Sequence, residues 1–107
     1  MTNRTFLIGT GIDSFYVCHL TSHGQIQLIN ETKCGNGPSW LFPRNDLLYV
    51  VNEYSNKIET FTIDDRTQGK LTLKSTVSSI GNTPCSLDID SSGKWLAVAK
   101  YAFIVYE

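Results

Sequence analysis

Hydrophobic and polar residues alternate along most of this chain, and clusters of Gly, Asn, Asp, Ser and Pro separate the alternating segments. Side chains on a strand point alternately to its two faces, so the pattern predicts short β-strands separated by turns. No segment shows the period of an amphipathic helix. We expect about ten strands, and the clearest segments are 6–8, 15–20, 25–29, 47–51, 57–63, 70–77, 86–90 and 95–99.

Several markers recur along the chain at a nearly constant interval. A Gly-led alternating segment begins at Gly24 and again at Gly69, and a Pro-led segment begins at Pro38 and again at Pro84. The apolar run from Leu48 recurs at Leu96, and Tyr54 recurs at Tyr101. The four intervals are 45, 46, 48 and 47 residues. A period of this size is typical of the four-stranded blade of a β-propeller, which takes roughly 40–50 residues.

The phase of this repeat predicts how the chain is divided. Residues 37–78 hold a complete set of four strands, 1–36 hold the last three of a set, and 79–107 hold the first two and part of a third. The fold class predicted is therefore all-β: an incomplete propeller over 1–107 with roughly two to two and a half four-stranded antiparallel blades. A closed propeller uses roughly four to eight blades, so this chain cannot close a ring alone.

Composition and charge narrow the range of partners. Nine Lys and Arg against ten Asp and Glu form no basic stripe, which excludes nucleic acid binding of the electrostatic kind. The longest apolar run, 47–51, is far shorter than a membrane helix requires, so we expect no membrane partner. Three widely spaced cysteines, Cys18, Cys34 and Cys85, and the absence of a signal-peptide pattern favour reduced thiols in the cytoplasm.

Three segments resemble sites that hold a phosphate or a metal, but each is better explained as structure. Gly9-Thr10-Gly11 is followed by a strand pattern, whereas a dinucleotide site needs a helix there. The Asp88–Gly93 segment has the oxygens that begin a calcium loop, but Ala99 stands where a bidentate Glu is required. Cys18 and His19 are neighbours on a predicted strand and so point to opposite faces, and His23 adds no fourth ligand. We expect no metal and no cofactor.

Few polar residues stand out as candidates for catalysis. The chain has no nucleophile elbow and no credible Ser-His-Asp set. Glu53 follows a predicted buried strand beside Asn52 and is the best candidate for a substrate-binding group facing a central channel, although a hydrogen-bonding role in a turn explains it as well. Trp40 and Trp95 are expected to pack between blades, because large flat side chains fill such interfaces.

The stretch from Pro38-Ser39-Trp40-Leu41 to Leu48-Tyr49-Val50-Val51-Asn52-Glu53 resembles the lactonase, or 6-phosphogluconolactonase, family of seven-bladed propellers, which includes the fungal carboxymuconate cyclases. The opening Phe6-Leu7-Ile8-Gly9-Thr10, the segment Gly69-Lys70-Leu71, and the pair Pro84-Cys85 with Asp90-Ser91-Ser92-Gly93-Lys94-Trp95-Leu96 are similar to family motifs in the same order. The resemblance covers nearly the whole chain but only the N-terminal third of a family member.

The resemblance implies hydrolysis of a sugar-acid lactone in carbohydrate metabolism, without a metal or cofactor. It implies no catalytic residue in this chain, because the family's catalytic His, Arg and Glu lie in later blades. Ser86 stands where the family carries His, the link at 42–46 is about two residues short, and 100–106 lacks the usual Gly-rich turn. The chain is therefore expected to be inactive alone.

Two other functions stay open: a non-catalytic propeller module or remnant that binds a protein, and a fragment of a cyclase that forms a lactone from a muconate. The partner implied by the family is a small-molecule lactone bound to a full-length relative. Because unpaired strand edges can pair with other chains, we also expect self-association through exposed edges.

Overall fold

The computed structural model describes residues 4–100 and 104–106, and these form ten β-strands and no helix. The strands are β1 (Arg4–Gly9), β2 (Ser14–Leu20), β3 (Ile26–Lys33), β4 (Pro38–Arg44), β5 (Leu47–Asn52), β6 (Lys57–Asp65), β7 (Lys70–Ser78), β8 (Pro84–Ile89), β9 (Leu96–Lys100) and β10 (Ile104–Tyr106). Residues 101–103, within the segment where the sequence lacks the family's usual Gly-rich turn, lie outside the described residues. Among the residues described, no helix is long and apolar enough to cross a membrane.

The strands form three antiparallel sheets in sequence order. Sheet 1 has the order β1-β2-β3, sheet 2 has β4-β5-β6-β7, and sheet 3 has β10-β9-β8. Every pairing joins strands adjacent in sequence, from β1 with β2 to β9 with β10. Such meanders stacked on one another are the architecture of propeller blades, and the prediction of a partial all-β propeller is confirmed.

Sheet 2 is packed between the other two sheets, which explains the uninterrupted apolar run in β5. On one side, Leu48, Val50 and Phe61 pack against Phe15 and Val17 of sheet 1. The rings of Phe15 and Phe61 meet edge to face with their centroids 5.4 Å apart. A strand with one face covered alternates apolar and polar residues, whereas a strand with both faces covered is apolar throughout.

The second interface joins the opposite face of sheet 2 to sheet 3. Val51 and Ile58 pack there against Leu87 and Val98, and all four are buried. Val50 and Val51 are neighbours on β5 and are each fully buried, one in each interface. The repeat seen in the sequence is therefore a stacking repeat, in which each sheet covers the face that the preceding sheet presents.

The two ends of the sheets differ in chemistry. At one end, the link end, lie the β1–β2 turn, the links 34–37 and 79–83, and the β5–β6 turn. At the other, the arginine end, lie the start of β1 with Arg4, the β4–β5 turn beside Arg44, and the β6–β7 turn with Arg66. These are all the arginines of the chain.

The expectation that both tryptophans pack between blades is wrong for Trp95 and holds only in part for Trp40. Trp95 is 67% exposed and lies in the β8–β9 turn, where its backbone N–H donates to Asp90. Trp40 is 43% exposed on the edge strand β4, between the clefts on either side of that strand. Their positions at a turn and at a sheet edge leave these rings only partly covered by the neighbouring sheets.

Candidate functional site

Glu53 lies at the link end, in the turn that joins β5 to β6. Its backbone N–H donates to the carbonyl of Gly37 over 2.7 Å, and the next amide, that of Tyr54, donates to Asn36 over 3.2 Å. Gly37 immediately precedes β4, so these bonds hold Glu53 beside the start of that strand. Its side chain is half-buried. The residue therefore occupies the strand-end position expected for it, and its role in binding stays a prediction.

A buried polar cluster that the sequence did not reveal lies next to this turn. One carboxylate oxygen of Glu59 accepts from the side-chain amide of Asn52 at 2.6 Å and from the backbone N–H of Gly35 at 2.8 Å. Asn52 is fully buried and Glu59 is 7% exposed. The cluster ties β5 and β6 to the link 34–37, which arrives from sheet 1.

Two further polar atoms of this region are buried without a protein partner. They are Oδ1 of Asn52 and Oγ of Ser55. A Cβ built on Gly35 would lie 2.8 Å from the Ser55 hydroxyl and 2.9 Å from Cγ of Asn52, so both groups crowd against Gly35. A side chain at position 35 would collide with them, which explains the glycine at that point of the link.

Cys34 borders the same cluster and has an unreactive thiol. Burial, the negative charge of Glu59 and that of Asp13 together raise the pKa of Cys34 to about 12. Its thiol donates to the carbonyl of Gly35 over 3.3 Å. Because the thiolate is the nucleophile, a pKa this high excludes Cys34 from nucleophilic catalysis near neutral pH.

The arginines lie too far from Glu53 to act with it. Arg44 donates to the Ser91 carbonyl over 3.0 Å, and Arg66 donates to the Asn45 carbonyl and pairs with Asp46 at 3.8 Å. All of these contacts are at the arginine end. The six residues of β5 separate this end from Glu53, which corresponds to about 20 Å at about 3.4 Å per residue.

The edge strands β1, β4 and β8 lie side by side, since β4 contacts both of the others. In a propeller such edges face the central channel. A cleft of about 410 Å³ lies between β4 and sheet 3 and is lined by Trp40 and Phe42 on one side and by Ser86, Asp88 and Ala97 on the other. A second cleft, of about 390 Å³, separates β4 from β1.

The segments that resemble phosphate or metal sites are turns and strands in the structure. After β1, the Thr10 hydroxyl donates to the Ser14 carbonyl at 2.6 Å, which closes the turn. Asp90 accepts from the Trp95 amide at 3.0 Å and from the Ser92 hydroxyl at 2.5 Å, and Gly93 has φ +77°. These bonds hold the pKa of Asp90 below its usual value of 3.8.

Histidine and cysteine side chains do not assemble into a metal site in the part of the chain that the structure describes. Cys18 and His19 are both buried on consecutive positions of β2, and His23 is in the following turn, near the Ser22 hydroxyl. Over the described ranges, no group of three His, Cys, Asp or Glu side chains could hold a metal ion.

Sequence analysis missed the Glu59 cluster because the alternation of polar and apolar residues along β6 predicts that only one face of this strand is buried. The structure shows Ile58 on one face of the strand and Phe61 on the other, with a register shift against β7 between Thr60 and Phe61. The signal that was available is the three-residue spacing of Ile58 and Phe61, which places them on opposite faces. Glu59 then shares the face of Phe61 and is carried into the interface with sheet 1.

The three stacked meanders with aligned edge strands define a β-propeller, of which this chain forms a part. The model of the family "Lactonase, 7-bladed beta-propeller" matches residues 5–104. The chain belongs to this lactonase family. No curated protein sequence matches it closely enough for comparison.

Solved structures show the same fold and show how much of it is present here. A candidate 6-phosphogluconolactonase of Bacteroides fragilis is 25% identical with a TM-score of 0.81; the match covers 97% of this chain and 32% of that protein. A second candidate 6-phosphogluconolactonase, from Bacteroides uniformis, is 22% identical with a TM-score of 0.81 over 99% of this chain and 33% of its own. A protein of unknown function from Desulfotomaculum acetoxidans is 17% identical with a TM-score of 0.68, over 82% of this chain and 28% of that one. This chain thus spans about a third of the length of these proteins.

Proposed function

We propose that this chain is a piece of a 6-phosphogluconolactonase-like propeller hydrolase that acts on sugar-acid lactones in carbohydrate metabolism, and that it is inactive alone. The family match over residues 5–104 carries the proposal. The similarity to two candidate 6-phosphogluconolactonases supports the substrate class. Three free cysteines, one buried and two half-buried, support a reducing compartment, and we propose the cytoplasm.

Within such an enzyme, we assign Glu53 to substrate binding. Its turn is bonded to the residue that precedes β4, an edge strand that faces the channel in a propeller. A carboxylate there accepts hydrogen bonds from the hydroxyl groups of a sugar acid. Trp40, beside the clefts along β4, offers an apolar ring against which a sugar ring can lie.

The isolated chain is inactive because it cannot bring a catalytic base and cationic groups together at one site. Lactone hydrolysis requires a base that activates water at the carbonyl, and donors directed at the oxyanion that forms. Glu53 is at the link end, whereas the arginines that could neutralise an anionic substrate are at the arginine end, where Arg44 and Arg66 are bonded to backbone carbonyls. Ser86, which stands on the edge strand β8, is too weak a base to replace an imidazole near neutral pH.

A chimera tests the proposal. This chain would replace the matching 32% of the Bacteroides fragilis protein, and hydrolysis of 6-phosphogluconolactone would be followed with a coupled dehydrogenase and a matched blank. We expect activity in the chimera and a raised KM after Glu53→Gln, with Glu31→Gln on the exposed side of β3 as the matched control. An inactive chimera beside an active parent would contradict the proposal, and activity unaffected by Glu53→Gln would remove Glu53 from the site.

One observation favours a non-catalytic binding module as the second candidate. The face of sheet 1 that does not meet sheet 2 carries exposed apolar residues on the outer strand β3, with Ile26 at 64% and Leu28 at 62% exposure. An exposed apolar surface of this kind is typical of a face that another protein covers. A chimera that folds but neither hydrolyses a lactone nor forms one from a muconate would favour this candidate.

A further inference from the structure

The link 34–37 contains the sequence Asn36-Gly37, the one place in the chain where glycine follows asparagine. Asn36 is exposed, while Gly37 is buried. We propose that Asn36 is a site of spontaneous deamidation in the folded protein, where it converts to aspartate and isoaspartate. The function proposed above does not depend on this reaction.

The structure explains why a glycine must follow Asn36. Gly37 has φ +72°, a conformation that residues with a side chain adopt at a cost of about 1–2 kcal/mol. A Cβ at this position would also lie 2.5 Å from Cδ2 of the Tyr54 ring, which is inside van der Waals contact. The fold therefore requires glycine here, and the absence of a side chain removes the steric hindrance that a Cβ would place beside the Gly37 nitrogen.

The reaction needs only water as a co-reactant. The backbone nitrogen of Gly37 gives up its proton and attacks Cγ of Asn36, so that a C–N bond forms and the bond from Cγ to Nδ2 breaks. Ammonia leaves with the proton, and a five-membered succinimide remains. Water then opens either carbonyl of this ring, which gives aspartate in one case and isoaspartate in the other.

One hydrogen bond controls the first step in the folded protein. The Gly37 N–H donates to the carbonyl of Ile12 over 2.6 Å. The nitrogen cannot attack while it holds this bond, so the link must open locally before the ring forms. The rate in the native protein is therefore lower than in the unfolded chain, and it reports how often the link separates from the β1–β2 turn.

The second link provides an internal comparison. Gly81-Asn82-Thr83-Pro84 repeats Gly35-Asn36-Gly37-Pro38 after 46 residues, and Asn82 is exposed like Asn36. Thr83 also has a positive φ, +56°, and its N–H donates to Oδ1 of Asn56 over 2.8 Å. The main difference at the reacting atoms is the branched side chain of Thr83, which crowds the nitrogen. Asn82 should consequently react much more slowly.

Formation of isoaspartate would disturb the surroundings of Glu53. In isoaspartate the backbone runs from Cα through Cβ and Cγ to the Gly37 nitrogen, which lengthens it by one carbon, and the former Asn36 backbone carbonyl becomes a free carboxylate. The link accepts hydrogen bonds from Glu53 at the Gly37 carbonyl and from Tyr54 at the Asn36 carbonyl, over 2.7 and 3.2 Å. A longer backbone cannot keep both bonds in register, so the β5–β6 turn loses its attachment to β4.

The experiment follows the chain by peptide mass spectrometry during incubation at mildly alkaline pH, in native buffer and in denaturant. The diagnostic signals are the mass gain of deamidation and the separate elution of isoaspartyl peptides. We expect Asn36 to be the first asparagine to react in native buffer, at a rate several-fold below its rate in denaturant. An unchanged Asn36 after native incubation, or a different asparagine reacting first, would overturn the proposal.

Two variants test separate parts of the proposal: the role of the residue that follows the asparagine, and the structural consequence of isoaspartate. Thr83→Gly places glycine at a positive φ where it fits, and it should make Asn82 a second deamidation site; if Asn82 stays unchanged, the role given to the following residue is wrong. Asn36→Asp introduces the charge without the extra backbone carbon. The variant should melt close to the wild type, whereas the isolated isoaspartyl form should melt at a lower temperature. Equal melting of the isoaspartyl form and the wild type would contradict the structural consequence.

Discussion

Removal of the Glu59 carboxylate should destabilise the junction between sheets 1 and 2 more than any exposed substitution. Glu59→Ala leaves the buried Asn52 amide and the half-buried Gly35 N–H without partners. Each unsatisfied donor costs about 1–3 kcal/mol, so for two donors we expect a loss of about 2–6 kcal/mol in the free energy of unfolding. This loss is a large fraction of the roughly 5–15 kcal/mol that a domain of this size has in total.

Urea unfolding followed by tryptophan fluorescence measures the loss in the free energy of unfolding. Trp40 and Trp95 are only partly exposed in the folded chain, so unfolding exposes the rest of each ring to water and changes the signal. Glu59→Gln keeps an acceptor for these donors, and the neutral bonds are weaker than charge-assisted ones, so it should cost only about 1 kcal/mol. Glu31→Ala, on an exposed position of β3, is the control and should change stability by less than about 0.5 kcal/mol. If Glu59→Ala were as stable as this control, the cluster would not join the two sheets in solution.

Four further outcomes follow from the structure. Cys34, with its pKa raised to about 12, should react with iodoacetamide more slowly than a cysteine peptide at pH 8. Glu59→Gln should speed this reaction because it removes a nearby negative charge. An unchanged rate in this variant would rule out the Glu59 charge as a cause of the raised pKa. The pKa of Asp90 is lowered in the folded state. The stability that this carboxylate contributes is therefore fully present above the usual pKa of 3.8 and is lost as the pH falls through the lower pKa of the folded state. Asp90→Asn should flatten the pH dependence of the melting temperature between these two pKa values. Ile80 has φ +51° and is 58% exposed, so Ile80→Gly should stabilise the fold by up to about 1 kcal/mol or leave its stability unchanged. A clear loss of stability in urea unfolding would show that the backbone of Ile80 is not strained. Leu28→Lys, on the exposed face of sheet 1, should shift size-exclusion profiles of the chain toward the monomer, and a wild type that is already a sharp monomer would contradict the expected self-association.

The strands and their repeat could be predicted from the sequence because both depend on local patterns. The segment 47–51 was recognisable as a buried strand from its composition alone, and the structure places it at the centre of the stack as β5. The Pro-led segments, recognisable as markers of the repeat, are the edge strands β4 and β8, where proline is tolerated because one side of the strand makes no ladder bonds.

The polar cluster and the exposure of Trp95 could not be predicted because they depend on how sheets pack. The carboxylate of Glu59 meets the Gly35 amide across 24 positions of sequence, and no local pattern encodes that contact. Trp95 is exposed and lies just before β9, in the turn after β8, and the spacing of apolar residues does not show which side of that strand boundary it occupies. The position of Glu53 after a strand was readable, whereas its bond to Gly37 required the link to be placed.

The most direct test of the account is the activity of this chain purified alone. The structure separates Glu53 at one end of the sheets from every arginine at the other, so the chain should hydrolyse 6-phosphogluconolactone no faster than the spontaneous rate in a pH-stat with fresh substrate and a matched blank. Saturable turnover that disappears on Glu53→Gln would contradict the account, because it would show that one end of this partial propeller is a complete catalytic site.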